Sequence, residues 1–348
     1  MRVLIVKTSS LGDVLHTLPA LSDAARAVPG IRFDWLVEEA FAEIPVWHPA
    51  VDRVIPVAVR RWRQNPLQGF LNGEYKNFLR ALRARRYDKI IDAQGLIKSA
   101  LLSCMARGVR GGLDSYSARE PWAAWAYQEN YAVPKGQHAI QRVRQLCAAS
   151  LGYTLPENNL DYGVERARFS PYRYTDRYMV FLHGTTWRSK QWPETYWMEL
   201  ARLAQQDGFT VRLPWGNEAE RLRAARIAQA CPGIQVLPRM NLTETAAVLA
   251  GAQGVVGVDS GLAHLAAALA VPGVTLYGAT QPGLTGTLGA AARHLRAEFG
   301  CSPCMQRRCT YRGASDVTPA CYQTIPPAKV WETAAALMNT GEIRAHAH

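Results

Sequence analysis

Val3-Leu-Ile-Val-Lys-Thr-Ser-Ser-Leu-Gly-Asp-Val-Leu-His16 carries four consecutive apolar residues straight into a polar Ser-Ser-Leu-Gly-Asp turn. A short β-branched run bounded by such a turn reads as a buried strand, and the apolar spacing beyond it as a helix. Asp13 then stands at the carboxyl end of a strand, the edge where open α/β sheets hold their ligands. A carboxylate there is a candidate general base. It is equally a candidate helix N-cap.

Outward from this run, short β-branched segments alternate with longer helical patterns. Strands are expected at Arg2 to Val6, Ile31 to Val37, Arg53 to Val57 and Lys89 to Ala93, with helices at Val14 to Ala27 and Tyr75 to Arg86. Alternation of this kind implies right-handed βαβ units and a parallel sheet. From Leu155 to Arg177 the periodicity fades into Pro, Asn, Asp and Arg, as in a linker. A second series follows, with strands at Tyr178 to Leu182, Thr210 to Pro214, Ile234 to Leu237, Gly254 to Val258 and Val274 to Tyr277. The expected helices between them are Pro193 to Gln206, Ala219 to Gln229, Leu242 to Ala252 and Leu262 to Ala270. The chain thus reads as an α/β protein of two doubly wound, Rossmann-like domains facing a central cleft. The domains span 1–160 and 178–325, the linker 161–177, and a last amphipathic helix within 326–348 could fold back towards the first domain. A length of 348 residues, 48% of them hydrophobic, suffices for two cores.

No run of 18 apolar residues occurs and the N-terminus enters a strand directly, so a cytoplasmic protein is expected. The net charge is +12, and residues 1–150 hold 21 Lys and Arg against 13 Asp and Glu. That excess favours a polyanionic partner: nucleic acid, an anionic membrane surface or a phosphorylated substrate. Arg60-Arg-Trp-Arg63, Lys98 after Asp92-Ala-Gln-Gly95, and Arg119 are strand-end cations suited to an acidic acceptor. Arg80, Arg83, Arg85 and Arg86 fall on a helix and read as a solvated face. Trp62 among arginines could stack on a base, but no nucleic-acid module or aromatic-basic repeat accompanies it, so nucleic acid is not expected.

Val255-Val-Gly-Val-Asp-Ser-Gly-Leu-Ala-His264 repeats the logic of the opening run. Free amides at the helix start, the Ser260 hydroxyl and the close approach allowed by Gly261 make an anion site. Asp259 there would repel phosphate, and so suits sugar hydroxyls or the orientation of its neighbours. His264 either faces the same edge or is an ordinary core histidine. Phe181-Leu-His-Gly-Thr-Thr-Trp-Arg-Ser-Lys-Gln-Trp-Pro193 adds a loop in which Thr185, Thr186 and Lys190 could hold phosphate oxygens. No Asp-x-Asp pair and no Walker sequence occur, which disfavours phosphoryl transfer. A diphosphate neutralised by Lys190 and helix amides, with an acid on the other domain, suits glycosyl transfer.

Of seven cysteines, four crowd together as Cys301-x2-Cys304-x4-Cys309-x11-Cys321. Four sulfurs near turns are consistent with a structural zinc or iron site, and equally with free thiols or a redox pair. Cys104, Cys147 and Cys231 sit in apolar helical patterns and are expected in the core.

The opening run, with Phe33-Asp-Trp-Leu-Val-Glu-Glu39, Arg60-Arg-Trp-Arg63, Asp92-Ala-Gln-Gly95 and Asp259-Ser-Gly-Leu-Ala-His264, resembles the lipopolysaccharide heptosyltransferases, the heptosyltransferase I class in particular. The resemblance covers almost the whole chain. It implies a GT-B fold and an inverting, metal-independent transfer of L-glycero-D-manno-heptose from ADP-heptose to the inner Kdo of Kdo-lipid A, at the cytoplasmic face of the inner membrane. By resemblance Asp13 is the base and Lys190 the lysine near the donor phosphates. Thr185, Thr186, Glu220, Met240, Asp259, Ser260, Gly261 and His264 fall at the donor site, Glu220 by the ribose and Met240 by the adenine. Ser10, Gly12, Arg60, Arg61, Arg63, Gln94, Lys98 and Arg119 fall on the acceptor side, and contact with the anionic membrane is expected to be peripheral, through arginines. The cysteine cluster departs from the class and is similar to that of heptosyltransferase II and the autotransporter heptosyltransferases; in the autotransporter relatives such a cluster holds iron. Transfer to another acceptor, or non-catalytic binding of an anionic glycolipid, are the alternatives.

Overall fold

Val3, Leu4, Ile5 and Val6 are fully buried. A strand apolar on both faces needs cover on both, which a parallel sheet flanked by helices supplies. The computed structural model describes residues 1–65, 71–157, 160–169, 176–229 and 231–345. The chain divides into two compact units, Met1–Val164 and Glu165–His348. Part of the segment read as linker, 158–159 and 170–175, lies outside the described residues.

The first unit holds β1 (Arg2–Val6), β2 (Arg32–Glu38), β3 (Val51–Val57), β4 (Arg86–Asp92), β5 (Arg107–Leu113) and β6 (Glu129–Tyr131), in the order β3-β2-β1-β4-β5-β6. Every pairing is parallel. The order reverses beside β1, so the loops after β1 and β4 leave on opposite faces and open a crevice at their carboxyl ends. Asp34, fully buried on β2, is held by Arg53, Arg85 and Tyr87. Arg85 is therefore not part of a merely solvated face.

The helix expected over Val14 to Ala27 is two helices, Leu11–Leu15 and Leu18–Ala27. Pro19 has no N–H for the Leu15 carbonyl but is tolerated in a first turn, so the first helix ends and a second starts at Leu18. Leu18–Ala27 packs on the helix Ala139–Leu151. A buried ion pair joins them: Arg144 Nε lies 2.6 Å from Asp23 Oδ2, while the exposed Arg26 takes the other oxygen at 3.0 Å.

The second unit repeats the plan with β7 (Tyr178–Leu182), β8 (Thr210–Leu213), β9 (Ile234–Val236), β10 (Gly254–Val258), β11 (Gly273–Tyr277) and β12 (Ala292–Arg296), in the order β12-β11-β10-β7-β8-β9. All pairs are again parallel, and the reversal falls between β7 and β10. The core packs Phe181, Trp192, Trp197 and Tyr322 between the sheet and the helix Glu194–Gln206. The last helix, Pro327–Ala345, packs on Glu194–Gln206, β10 and β11 of its own unit. Val330, Ala334, Leu337 and Met338 are buried, and the Trp331 indole donates to Asp207 at 2.9 Å. That apolar face is satisfied locally.

Arg144→Met leaves the Asp23 carboxylate buried beside a single exposed partner, and should lower stability by about 3 kcal/mol. Arg26→Met removes a half-exposed pair and should lower it by less than about 1 kcal/mol. Urea unfolding of the two variants checks the contrast, and equal losses would contradict the assignment of the buried pair.

Candidate active site

In the first unit the helix Leu11–Leu15 begins one short turn beyond β1, with Ser10 as its N-cap. Asp13 is therefore not the cap itself but the third residue of the first turn. Its Oδ2 accepts from the Ser10 amide at 2.8 Å and the Ser10 hydroxyl at 2.7 Å, which fixes the carboxylate at the sheet edge. Gly12, behind it, is buried.

Gln94, after β4, ties the two central loops together. Its Oε1 accepts from the amides of Thr8 at 3.0 Å and Ser9 at 3.3 Å, and its Nε2 donates to the Ser9 carbonyl at 2.8 Å. Gln94 thus positions the Asp13 loop. Beneath it Asp92 is fully buried, accepting from the Gln94 amide at 2.8 Å and the Tyr127 hydroxyl at 2.7 Å. Burial raises the Asp92 pKa, against those bonds.

Lys7, which no motif in the sequence marks, is buried with its ammonium on the Ala93 carbonyl at 2.9 Å. Burial lowers its pKa, while Asp13 and then Asp92 pull it up. Two carboxylates thus offset part of the cost of burying this cation. The only signal for it was a lysine ending an apolar strand.

The predicted acceptor cations all follow strand carboxyl ends, and they differ in state. Arg61 is exposed and paired with Glu39 at 3.1 Å and Glu74 at 2.8 Å, which fastens the helix Val59–Gln64 to both. The Arg60 guanidinium sits 5.4 Å from the Phe41 ring centroid, with its amide on Glu38. Arg63, Lys98 and Arg119 are exposed.

In the second unit the edge between β7 and β10 is built around Asp259. Lys190 Nζ lies 2.7 Å from its Oδ2, the Thr280 hydroxyl donates to the same oxygen at 2.6 Å, and His264 Nε2 is 3.9 Å from Oδ1. Asp259 and His264 are buried. Thr185 donates to the Asp259 carbonyl at 3.2 Å, and Thr186 is exposed in the same loop. The acid thus orients a lysine rather than facing phosphate alone. Next to it, the buried Ser260 hydroxyl has no hydrogen-bond partner among the described residues, at the start of the helix Gly261–Ala268. His183, at the end of this edge, is pushed down to about 4 by burial and is neutral near pH 7.

Glu220 belongs to the same edge. Its Oε2 accepts from the Gly216 amide at 2.8 Å, and a Cβ on Gly184 would sit 2.7 Å from its carboxyl carbon. Glycine at 184 is what lets the carboxylate reach the β7 loop. Met240 is half-buried in the loop after β9, also at the carboxyl edge. Thr280 and Arg307 were not singled out from sequence. Arg307 and Lys190 both lie over the Trp187 ring, at 5.7 and 4.7 Å.

Cys301, Cys304, Cys309 and Cys321 line one cavity of about 360 Å³. Burial, and then the other three sulfurs, push the Cys321 thiol up to about 12. Yet among the described residues no three His, Cys, Asp or Glu side chains are gathered to hold a metal. Cys301 is exposed, Cys304 and Cys309 are intermediate and Cys321 is buried. The segment instead braces the lysine loop: Ser189 donates to the carbonyls of Arg307 at 3.3 Å and Gln306 at 2.5 Å, and the Tyr322 hydroxyl to that of Lys190 at 2.8 Å. Cys147 and Cys231 are buried as expected, whereas Cys104 is exposed.

The model of glycosyltransferase family 9 (heptosyltransferase) matches residues 75–315. Lipopolysaccharide heptosyltransferase 1 of Pseudomonas aeruginosa is 53% identical over 340 residues, covering 95% of this chain and 96% of that protein. Among solved structures, the Escherichia coli heptosyltransferase WaaC with ADP matches at 51% identity and a TM-score of 0.82, covering 85% of this chain and 93% of the other. The same enzyme with ADP-2-deoxy-2-fluoro heptose matches at 50% identity and a TM-score of 0.79, with the same coverage. The two parallel six-stranded sheets are those of the GT-B fold, and the chain belongs to glycosyltransferase family 9, the heptosyltransferases.

Proposed function

We propose that the protein transfers L-glycero-D-manno-heptose from ADP-heptose to the inner Kdo of Kdo-lipid A, with inversion, in assembly of the lipopolysaccharide inner core. The observation that carries this reading is the Lys190–Asp259 pair, 2.7 Å apart, beside the buried Ser260 hydroxyl at a helix start. Lys190, Ser260 and the amides at Gly261 take the donor diphosphate. Asp259, paired with Lys190 and hydrogen-bonded by Thr280, does not oppose it. As ADP departs, the charge growing on its phosphate meets donors already in place, where they act most strongly. Glu220 takes the ribose hydroxyls, Met240 lies beside the adenine, and Thr185 and Thr186 complete the loop.

On the acceptor, Asp13 removes the proton from the Kdo hydroxyl as that oxygen attacks the anomeric carbon opposite the departing ADP. One displacement gives one inversion. Arg60, Arg63, Lys98 and Arg119 meet the phosphates and carboxylates of the acceptor. Cation and amides supply the charge that a divalent metal supplies in other nucleotide-sugar enzymes, so the transfer runs without a metal cofactor. The protein works at the cytoplasmic face of the inner membrane in peripheral contact with it; no described helix is long and apolar enough to cross a membrane.

ADP release from ADP-heptose should depend on added Kdo-lipid A, and Asp13→Asn should lower its kcat by about 100-fold or more while ADP affinity stays unchanged. Near-normal turnover of that variant would remove Asp13 as the base, and release without acceptor would contradict the transfer itself. Saturating EDTA should leave turnover unchanged; loss restored by added Mg2+ would overturn the metal-free mechanism.

A further inference from the structure

In the first unit the helix Ile97–Cys104 and the turn Pro121–Ala126 lie side by side. The Ile97 amide donates to Glu120 at 2.7 Å, and Ala100, Ala123 and Tyr127 form a buried seam between the two. Their inner faces are thereby settled. The outer faces carry apolar side chains into solvent: Ile97, Leu101 and Met105 at successive four-residue steps, Leu101 58% exposed, and beside them Trp122 and Trp125, 63% and 78% exposed. The two indoles pack edge to face with centroids 4.6 Å apart. An outward apolar stripe inverts the pattern of a helix serving its own core, and a contiguous patch of this kind marks an interaction surface. Trp35, Trp47, Trp192, Trp197 and Trp331 are buried in the same chain.

Cations surround the patch. Lys98 and Arg119 are exposed at its edge, and Arg83 reaches the Met105 carbonyl at 2.9 Å. The first 150 residues carry the larger share of the positive charge. Tryptophan prefers the boundary between headgroup and hydrocarbon, where its ring is apolar and its N–H is wet. Lysine and arginine are drawn to anionic headgroups. A second copy of this chain would bring the same cations face to face, which disfavours self-association here.

We propose that this surface docks on an anionic lipid bilayer, with Trp122, Trp125 and Leu101 seated in the interfacial layer, beside Lys98 and Arg119, which meet the acceptor's phosphates in the same headgroup layer. It deepens the membrane contact of the proposed function and rests on that reading for its purpose. The contact is apolar as well as cationic, so salt weakens it without abolishing it.

Sedimentation with phosphatidylglycerol/phosphatidylcholine vesicles, without substrates, tests the surface. The full chain should bind, and bromine-labelled acyl chains should quench part of its tryptophan fluorescence. Trp122→Ser/Trp125→Ser and, separately, Leu101→Glu should each weaken binding by about tenfold or more, while turnover on a water-soluble Kdo acceptor lacking acyl chains stays at the wild-type value. Absence of vesicle binding by the wild-type chain, or equal binding by both variants, overturns the proposal. So does matching loss of turnover on the soluble acceptor, which would assign the patch to the acceptor site. A wild-type chain that binds vesicles yet transfers no heptose contradicts the proposed function and leaves this surface standing.

Discussion

Parallel pairing on both sides of one central strand is the constraint from which the sites follow. In each unit the strand order reverses beside that strand, β1 in the first and β7 in the second. The chain must then leave its carboxyl end on one face and its neighbour's on the other. Asp13 and Gln94 flank the first such edge. Lys190 and Asp259 flank the second. Neither pair depends on the loops being long; both depend on where the sheet lets backbone part.

What gathers at these edges differs in kind. The first combines a carboxylate fixed by Ser10 with a buried lysine and exposed cations, an arrangement suited to taking a proton from an acidic acceptor. The second spends its carboxylate on a lysine, leaving a buried hydroxyl and helix amides turned to an anion. The cysteine-bearing segment enters through its carbonyls and Tyr322, which hold the lysine loop from behind.

Much of this was legible in the sequence, and the exceptions have physical causes. β1, β7 and β10 match their expected limits because buried parallel strands are unbroken apolar runs with no competing helical period. β5, Arg-Gly-Val-Arg-Gly-Gly-Leu, escaped notice because glycine is poor strand material. The structure explains its use: a Cβ on Gly112 would lie 2.4 Å from the Tyr127 ring, whose hydroxyl holds Asp92. At the site, strand-end acids and Lys190 were visible as motifs. Thr280 and Arg307 were not, since they reach the edge from other elements and carry no local pattern. At Arg61 a sequence shows the cation and not the two glutamates paired with it.

The central claim is that Asp259 serves the donor by holding Lys190. A double-mutant cycle on ADP affinity, with Lys190→Gln, Asp259→Asn and the pair together measured by titration calorimetry, tests it most directly. If Asp259 acts through Lys190, the double variant should bind ADP about as weakly as Lys190→Gln alone. Losses that simply add would mean the two residues act independently, and would contradict the account.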